Sequence, residues 1–281
     1  MPAPSAFDTS LSASIAKPIN DTPFRRFLTL FAIKLLKRVR SRSGVVLFLS
    51  DKLCVKYGGL SHLGEASAMQ FVAKHTSIPV PRVYCAFEHR GRTYIVMERI
   101  HGTDVAKGWK SRSEASKAKV LGQLKRMIEE LRRIPPPDGV GVESVEGGPL
   151  YDPRHPRSNW FGPFKNVLEF HRHLRSDFEA PCENYPDIEE MISLQDSGAW
   201  EPLVFTHGDL NSFNVLVSND EVVGIIDWEC AGWFPSYREY TQAWNVSPQN
   251  VFWRDEVDKF LEPMPDALRM EKIRLKYFGD V

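Results

Sequence analysis

Chemistry is most readily assembled around Asp209, Asn214 and Asp227, which lie in one stretch, 204–229, that reads as a strand, a polar loop and a hairpin. β-Branched runs at 215–217 and 222–226 flank Ser218, Asn219 and Asp220, residue types that favour turns. A turn centred on Asp220 and Glu221 sets Asn214 opposite Asp227, to within a residue or two. Opposed residues share a face, with Cα atoms about 5 Å apart. An amide oxygen and a carboxylate meeting at one point suit a hard cation such as Mg²⁺. Asp209, on the loop that feeds the hairpin, adds a third oxygen group. This pattern points to chemistry assisted by a metal ion.

Such a site needs a frame, and the preceding sequence supplies one. Runs at 45–49 and 53–56 read as a hairpin ending on Lys56. A lysine in an apolar strand is costly to desolvate without a charged partner or ligand. A helix opening near Ser61 carries Glu65 in its first turn, where the helix dipole favours an acid. Pro79 and Pro81 end it, and strands at 83–88 and 93–98 follow, joined by a turn at 89–92. Ser111 with Glu114 has the form of a capping box. The helix it opens keeps Ala118, Leu121, Leu124, Met127 or Ile128, Leu131 and Ile134 at helical spacing until Pro135-Pro136-Pro137. Residues 138–165, rich in Gly and Pro, read as a long loop or lid, a length often tied to function. Helices are expected at 166–174, 187–196, 253–261 and 266–278. The aromatics Trp228, Trp233, Phe234, Tyr237, Tyr240 and Trp244 read as core, with a cation-binding pocket as the alternative.

The set His207-Gly208-Asp209, Asn214 and Ile225-Ile226-Asp227-Trp228-Glu229 resembles the aminoglycoside phosphotransferase family, close to its fungal branch, which shares the protein kinase-like fold. The resemblance implies an α+β, two-lobed fold with a small β-rich N-lobe and a larger, mostly helical C-lobe. The N-lobe would span 23–100 with a leading basic helix. The C-lobe would span 101–281, with the catalytic loop and a helical substrate subdomain, after a disordered segment 1–22. In this pattern Asp209 orients the acceptor hydroxyl and takes its proton, and His207 braces the loop. Asn214 and Asp227 hold Mg²⁺, Lys56 positioned by Glu65 holds the phosphates of ATP, and backbone groups near Glu98 and Ile100 meet the adenine edge. The implied reaction moves the γ-phosphate to a hydroxyl of a small molecule.

One departure stands out. No Gly-x-Gly-x-x-Gly loop precedes Lys56, only Gly44, so either 41–44 forms a shorter clamp or triphosphate binding is weakened. A catalytically weak or inactive nucleotide-binding protein is therefore one alternative, and an atypical protein kinase another. Against the latter, Gly208 stands where regulated protein kinases carry Arg, and no Ala-Pro-Glu anchor follows Asp227.

The 281-residue chain balances 36 Lys and Arg against 36 Asp and Glu, which gives no footprint for nucleic acid. Cys54, Cys85, Cys182 and Cys230 lack zinc spacing, Cys54 and Cys85 in apolar runs read as small buried hydrophobes, and no signal peptide is visible, so a reducing, cytoplasmic setting is expected. Charge is nevertheless unevenly placed. Asp21-Thr22-Pro23 starts a basic helix over 24–38 with the stripe Phe27, Leu28, Phe31 and Leu35. It is too short and charged to span a membrane, and the expectation is that its stripe packs on the strands rather than on a lipid surface. Segment 176–237 holds no Lys or Arg but many acids, Glu183 and Glu229 among them. Such a region favours a cationic acceptor, unless those acids pair with bases distant in sequence.

Overall fold

The computed structural model describes residues 15–156, 158–181, 185–245 and 248–279. Of the segment 1–22 expected to be disordered, 1–14 lies outside the described residues, as do Cys182 and Glu183, whereas Ile19 pairs with Ala86 at the sheet edge. The chain opens with α1 (Pro23–Leu36), capped by Thr22, whose side chain accepts from the Arg25 amide. Five strands follow: β1 (Arg42–Ser43), β2 (Val46–Phe48), β3 (Leu53–Gly58), β4 (Val83–His89) and β5 (Arg92–Glu98), with α2 (Leu63–His75) between β3 and β4. They form one antiparallel sheet in the order β1-β2-β3-β5-β4. The turn between β4 and β5 places Arg90 and Gly91 at φ 51° and 69°, the left-handed pair that a tight hairpin requires.

The rest of the chain is mostly helical. In order come β6 (Thr103–Asp104), α3 (Glu114–Arg132), β7 (Leu150–Tyr151), β8 (Trp160–Phe161), α4 (Val167–Leu174), α5 (Pro186–Asp196), β9 (Leu203–Thr206), β10 (Val215–Ser218), β11 (Glu221–Ile225), β12 (Gly232–Pro235), α6 (Arg238–Trp244), α7 (Arg254–Phe260) and α8 (Pro265–Phe278). The short strands form three small sheets, β11-β10-β6, β12-β9 and β7-β8. The long segment 138–165 is thus a loop carrying one short hairpin. No helix among the described residues is long and apolar enough to cross a membrane.

Strand β3 shows how the sheet serves the site. Its alternate residues point to opposite faces: Val55 joins Ile33, Leu47 and Phe87 on the α1 side, and Cys54 joins Ala66, Met69 and Ile95 on the α2 side. Lys56 shares the face of Cys54 and is carried under α2. That inner core runs on without a break into Leu124, Leu131, Phe205, Val215 and Trp228 of the helical part, so the two parts share one apolar seam. Trp228, Trp233, Phe234, Tyr237 and Tyr240 are buried, as the core reading expects.

Three local expectations change. The cap of α3 is Ser113, which accepts from the Ser116 amide. Ser111 lies in a preceding 3-10 turn and bonds to the Gly108 carbonyl, so Ser111 and Glu114 make no capping box. The outer stripe of α1 stays in solvent, because Thr29 and Ile33 are the residues turned to the sheet. The acids of the base-free segment are largely paired by bases from elsewhere: Asp187 with Lys276, Glu190 with Arg269, and Asp196 and Glu179 with Arg175.

Candidate active site

Lys56 Nζ lies 2.8 Å from Glu65, 2.6 Å from Asp227 and 3.0 Å from Glu229. The expected Lys56–Glu65 pair is present, and the two acids after the hairpin join it. Burial opposes the Lys56 charge, but Glu65, Asp227 and Glu229 outweigh it and hold the ammonium well above its ordinary range. Glu65 is fully enclosed, and burial pushes its carboxyl up to about 7 against the pull of Lys56. Ligand oxygens of Glu65, Asp227 and Glu229 all lie within 4.8 Å of one another. An all-oxygen donor set of this charge fits a hard divalent cation.

The hairpin reaches this arrangement by a different register from the one expected. Ser218 pairs with Glu221, so the turn is centred on Asn219 and Asp220, with Asn219 at φ 54°. A bulge between Leu216 and Val217 shifts the pairing, and Ile226, not Asp227, bonds across to the Asn214 carbonyl at 3.0 Å. Simple strand alternation would then turn Asp227 away. Its own backbone, left-handed at φ 65° and ψ 59°, leaves the strand geometry and delivers the carboxylate to Lys56. Asn214 is buried and uses its amide nitrogen on Asp209, 2.9 Å from both the carbonyl oxygen and Oδ2. Its amide oxygen makes no hydrogen bond among the described residues.

The loop before the hairpin is braced from three directions. The buried Glu239, in the first turn of α6, accepts from the amides of His207 at 2.7 Å and Gly208 at 3.2 Å. His207 Nδ1 accepts from the Asp209 amide at 3.1 Å, which leaves Nε2–H to donate to the Ile226 carbonyl at 3.0 Å. Burial keeps this ring's pKa low, so His207 is a neutral strut. Gly208 takes φ 80°, and a Cβ there would sit 2.5 Å from the Cys230 carbonyl oxygen, so only glycine fits.

Arg154, a residue that the sequence alone did not single out, provides the third brace. It reaches from the long loop to Asp209 Oδ1 at 2.7 Å and to the Gly208 carbonyl at 2.6 Å. Asp152 holds its Nε at 2.8 Å and is itself held by Arg238. Burial raises the Asp209 pKa, and Arg154 counteracts it. Asp152-x-Arg154 inside a Gly- and Pro-rich loop was the available signal, but nothing in sequence links it to Asp209.

Glu98 ends β5 on the strand pair Leu53–Glu98, and its amide is already bonded to the Arg82 carbonyl. Ile100 lies just beyond, its side chain packed where a Cβ on Gly224 would come within 2.5 Å. In place of a glycine-rich loop, β1 and β2 turn tightly through Gly44 and Val45, with Ser43 paired to Val46 and Gly44 at φ 54°.

A β-sheet carrying a buried lysine, paired with a helix glutamate and facing a braced His-Gly-Asp loop, defines the two-lobed kinase-like class. A thermostable mutant of aminoglycoside phosphotransferase APH(4)-Ia, in ternary complex with ADP and hygromycin B, superposes with a TM-score of 0.61 at 14% identity over 87% of this chain and 88% of that one. The streptomycin-ATP-APH(2″)-IIa ternary complex gives 0.56 at 15% identity, over 91% and 88%. The phosphotransferase enzyme family profile matches residues 61–270, and the chain belongs to that family. A curated relative, the aminoglycoside 3′-phosphotransferase of Niallia circulans, is 26% identical over 172 residues, which span 59% of this chain and only 58% of the relative.

Proposed function

We propose that the protein is an ATP-dependent phosphotransferase that moves the γ-phosphate to a hydroxyl of a small molecule, with lobes at 23–100 and 101–281. The observation that carries this reading is Lys56, ion-paired at once to Glu65 and Asp227 beside a loop that presents Asp209. Lys56 would bind the nucleotide phosphates as a point charge, held in place by Glu65. Asp227, Glu229 and the free amide oxygen of Asn214 are the groups that would hold Mg²⁺, which when bound neutralises charge developing on the phosphates. Asp209 would orient the acceptor hydroxyl and take its proton, while His207 fixes the loop. Backbone groups around Glu98 and Ile100 would meet the adenine edge, with the Ile100 side chain closing the floor.

The acceptor we favour is a polyhydroxylated amine of the kind that hygromycin- and streptomycin-bound relatives accommodate. Support within the chain comes from the carboxylates of Asp209, Asp227 and Glu229, which gather at the site and outnumber the two bases paired with them, Lys56 and Arg154, rather than from the acidic segment as a whole. The short Gly44 turn gives a second reading its footing: a nucleotide-binding protein of weak turnover. Calorimetry with Mg·ATP, followed by ADP release across hydroxylated amines, separates the two. Binding with turnover supports the transferase, binding without turnover on any acceptor supports the second reading, and no binding overturns both. Asp227→Ala should abolish Mg²⁺-dependent ATP binding and Asn214→Ala should weaken it.

A further inference from the structure

Helix α1 holds to the sheet by a narrow face. Ile33 enters the cluster of Leu47, Val55, Phe87 and Val96, and Thr29 and Leu30 flank it. On the far side Phe24, Phe27, Leu28, Phe31 and Leu35 are 71%, 66%, 51%, 52% and 62% exposed. At about 100° per residue these five fall within an arc roughly 100° wide, the stripe width of an amphipathic helix. Phe27 and Phe31 stack on each other, ring centroids 6.0 Å apart, with no other part of the described chain covering them. Scattered exposed apolar residues are ordinary, whereas a contiguous stripe of this kind marks an interaction surface.

The charge around the stripe says what covers it. Residues 22–50 contain no Asp or Glu. Arg26 pairs with Asp21 and Arg42 lies over the Tyr57 ring. Lys34, beside the stripe, and Lys37, Arg38 and Arg40, beyond its C-terminal end, are exposed and have no carboxylate partner among the described residues. A second copy of the chain seated face to face would bring these bases against their own kind. An anionic lipid surface instead offers hydrocarbon to the phenyl groups and negative headgroups to the bases. At 14 residues the helix is about 21 Å long, suited to lie in the headgroup plane and too short to cross it.

We propose that α1 docks the protein on an anionic membrane surface, with Phe24, Phe27, Leu28, Phe31 and Leu35 entering the acyl boundary and Lys34, Lys37, Arg38 and Arg40 meeting the headgroups. The test is co-sedimentation of the full chain with vesicles of phosphatidylcholine alone or with phosphatidylserine at about 30%. Binding is expected only to the second kind and should fall as salt rises. Phe27→Ser with Phe31→Ser, both in solvent and so neutral for folding, should weaken it on the order of tenfold or more. Lys37→Gln, Arg38→Gln and Arg40→Gln should each cost about fivefold. The proposal is overturned by absence of vesicle binding at low salt, by binding that ignores phosphatidylserine, or by binding that the Phe pair does not affect. A concentration-dependent dimer that the Phe pair dissolves, with no vesicle binding, would assign the stripe to a second copy instead.

Discussion

Asp209 is gripped on both oxygens, by Arg154 on Oδ1 and by Asn214 on Oδ2. Its rotamer is therefore set before any acceptor arrives. Asp209→Asn is expected to lower kcat by about a hundredfold or more while leaving Mg·ATP affinity near the parent value, because in the proposed reaction the residue would meet the acceptor and not the nucleotide. Single-turnover rates and calorimetry on the purified variant check this, and parent-like turnover would remove Asp209 from the mechanism. Arg154 touches no proposed nucleotide ligand. Arg154→Met should lower kcat on the order of tenfold through misplacement of Asp209, with Mg·ATP binding unchanged and partial recovery in Arg154→Lys. Equal loss of nucleotide affinity would show that Arg154 supports the fold and not the geometry of Asp209.

At the scale of elements, the His207–Asp209 loop depends on a helix that follows it in sequence. Glu239 of α6 is buried and accepts from two consecutive loop amides, those of His207 and Gly208. Glu239→Ala leaves both donors without a partner, at about 1–3 kcal/mol each. Urea unfolding should register that loss, and loop amides should exchange faster with solvent. A variant as stable as the parent would mean that water or another acceptor replaces the carboxylate. Farther back, Asp152 and Glu271 link Arg154, Arg238 and Arg274 into a chain of ion pairs that is buried from Asp152 onward and ends on α8. Burial would raise the Glu271 pKa, but Arg274 and Arg238 hold it below its ordinary value. Glu271→Gln removes the charge partner of the buried Arg274, while Arg238 keeps Asp152, and should cost about 3–5 kcal/mol, read as a drop in the urea midpoint.

For the whole molecule, buried histidines make stability sensitive to acid. Burial lowers His62, His155 and His171 to about 4. His171 is fixed as the neutral tautomer, donating from Nδ1 to the Gln195 carbonyl and accepting at Nε2 from the Tyr237 hydroxyl. In the unfolded chain these rings titrate near 6.5. Between that value and about 4 the unfolded state binds more protons, so stability declines as pH falls through this window and is fully retained above it. Thermal midpoints from pH 7 to pH 4 should fall accordingly. His171→Gln, whose amide keeps one donor and one acceptor, should flatten the slope by about one proton. A midpoint constant across the window would contradict the neutral assignment.

Sequence by itself determined most of the elements and picked out most of the residues that gather at the candidate site. Strand and helix periodicity placed β3, α2, β4, β5 and the paired strands β10 and β11, and residue type with spacing selected Lys56, Glu65, Asp209, Asn214 and Asp227. These are local quantities, encoded within a few residues of where they act. Tertiary structure alone decided the rest. A bulge and one left-handed residue, not strand alternation, aim Asp227 at Lys56. Arg154 lies 55 positions from Asp209 in sequence and 2.7 Å from it in space, a contact created by how the long loop folds over the helical lobe. The acidic segment lost most of its net field because its partners, Lys276 and Arg269 among them, lie on a helix at the other end of the chain. The stripe of α1 was legible, but which face meets the sheet depends on where Ile33 finds Leu47 and Phe87, a matter of packing that no periodicity specifies.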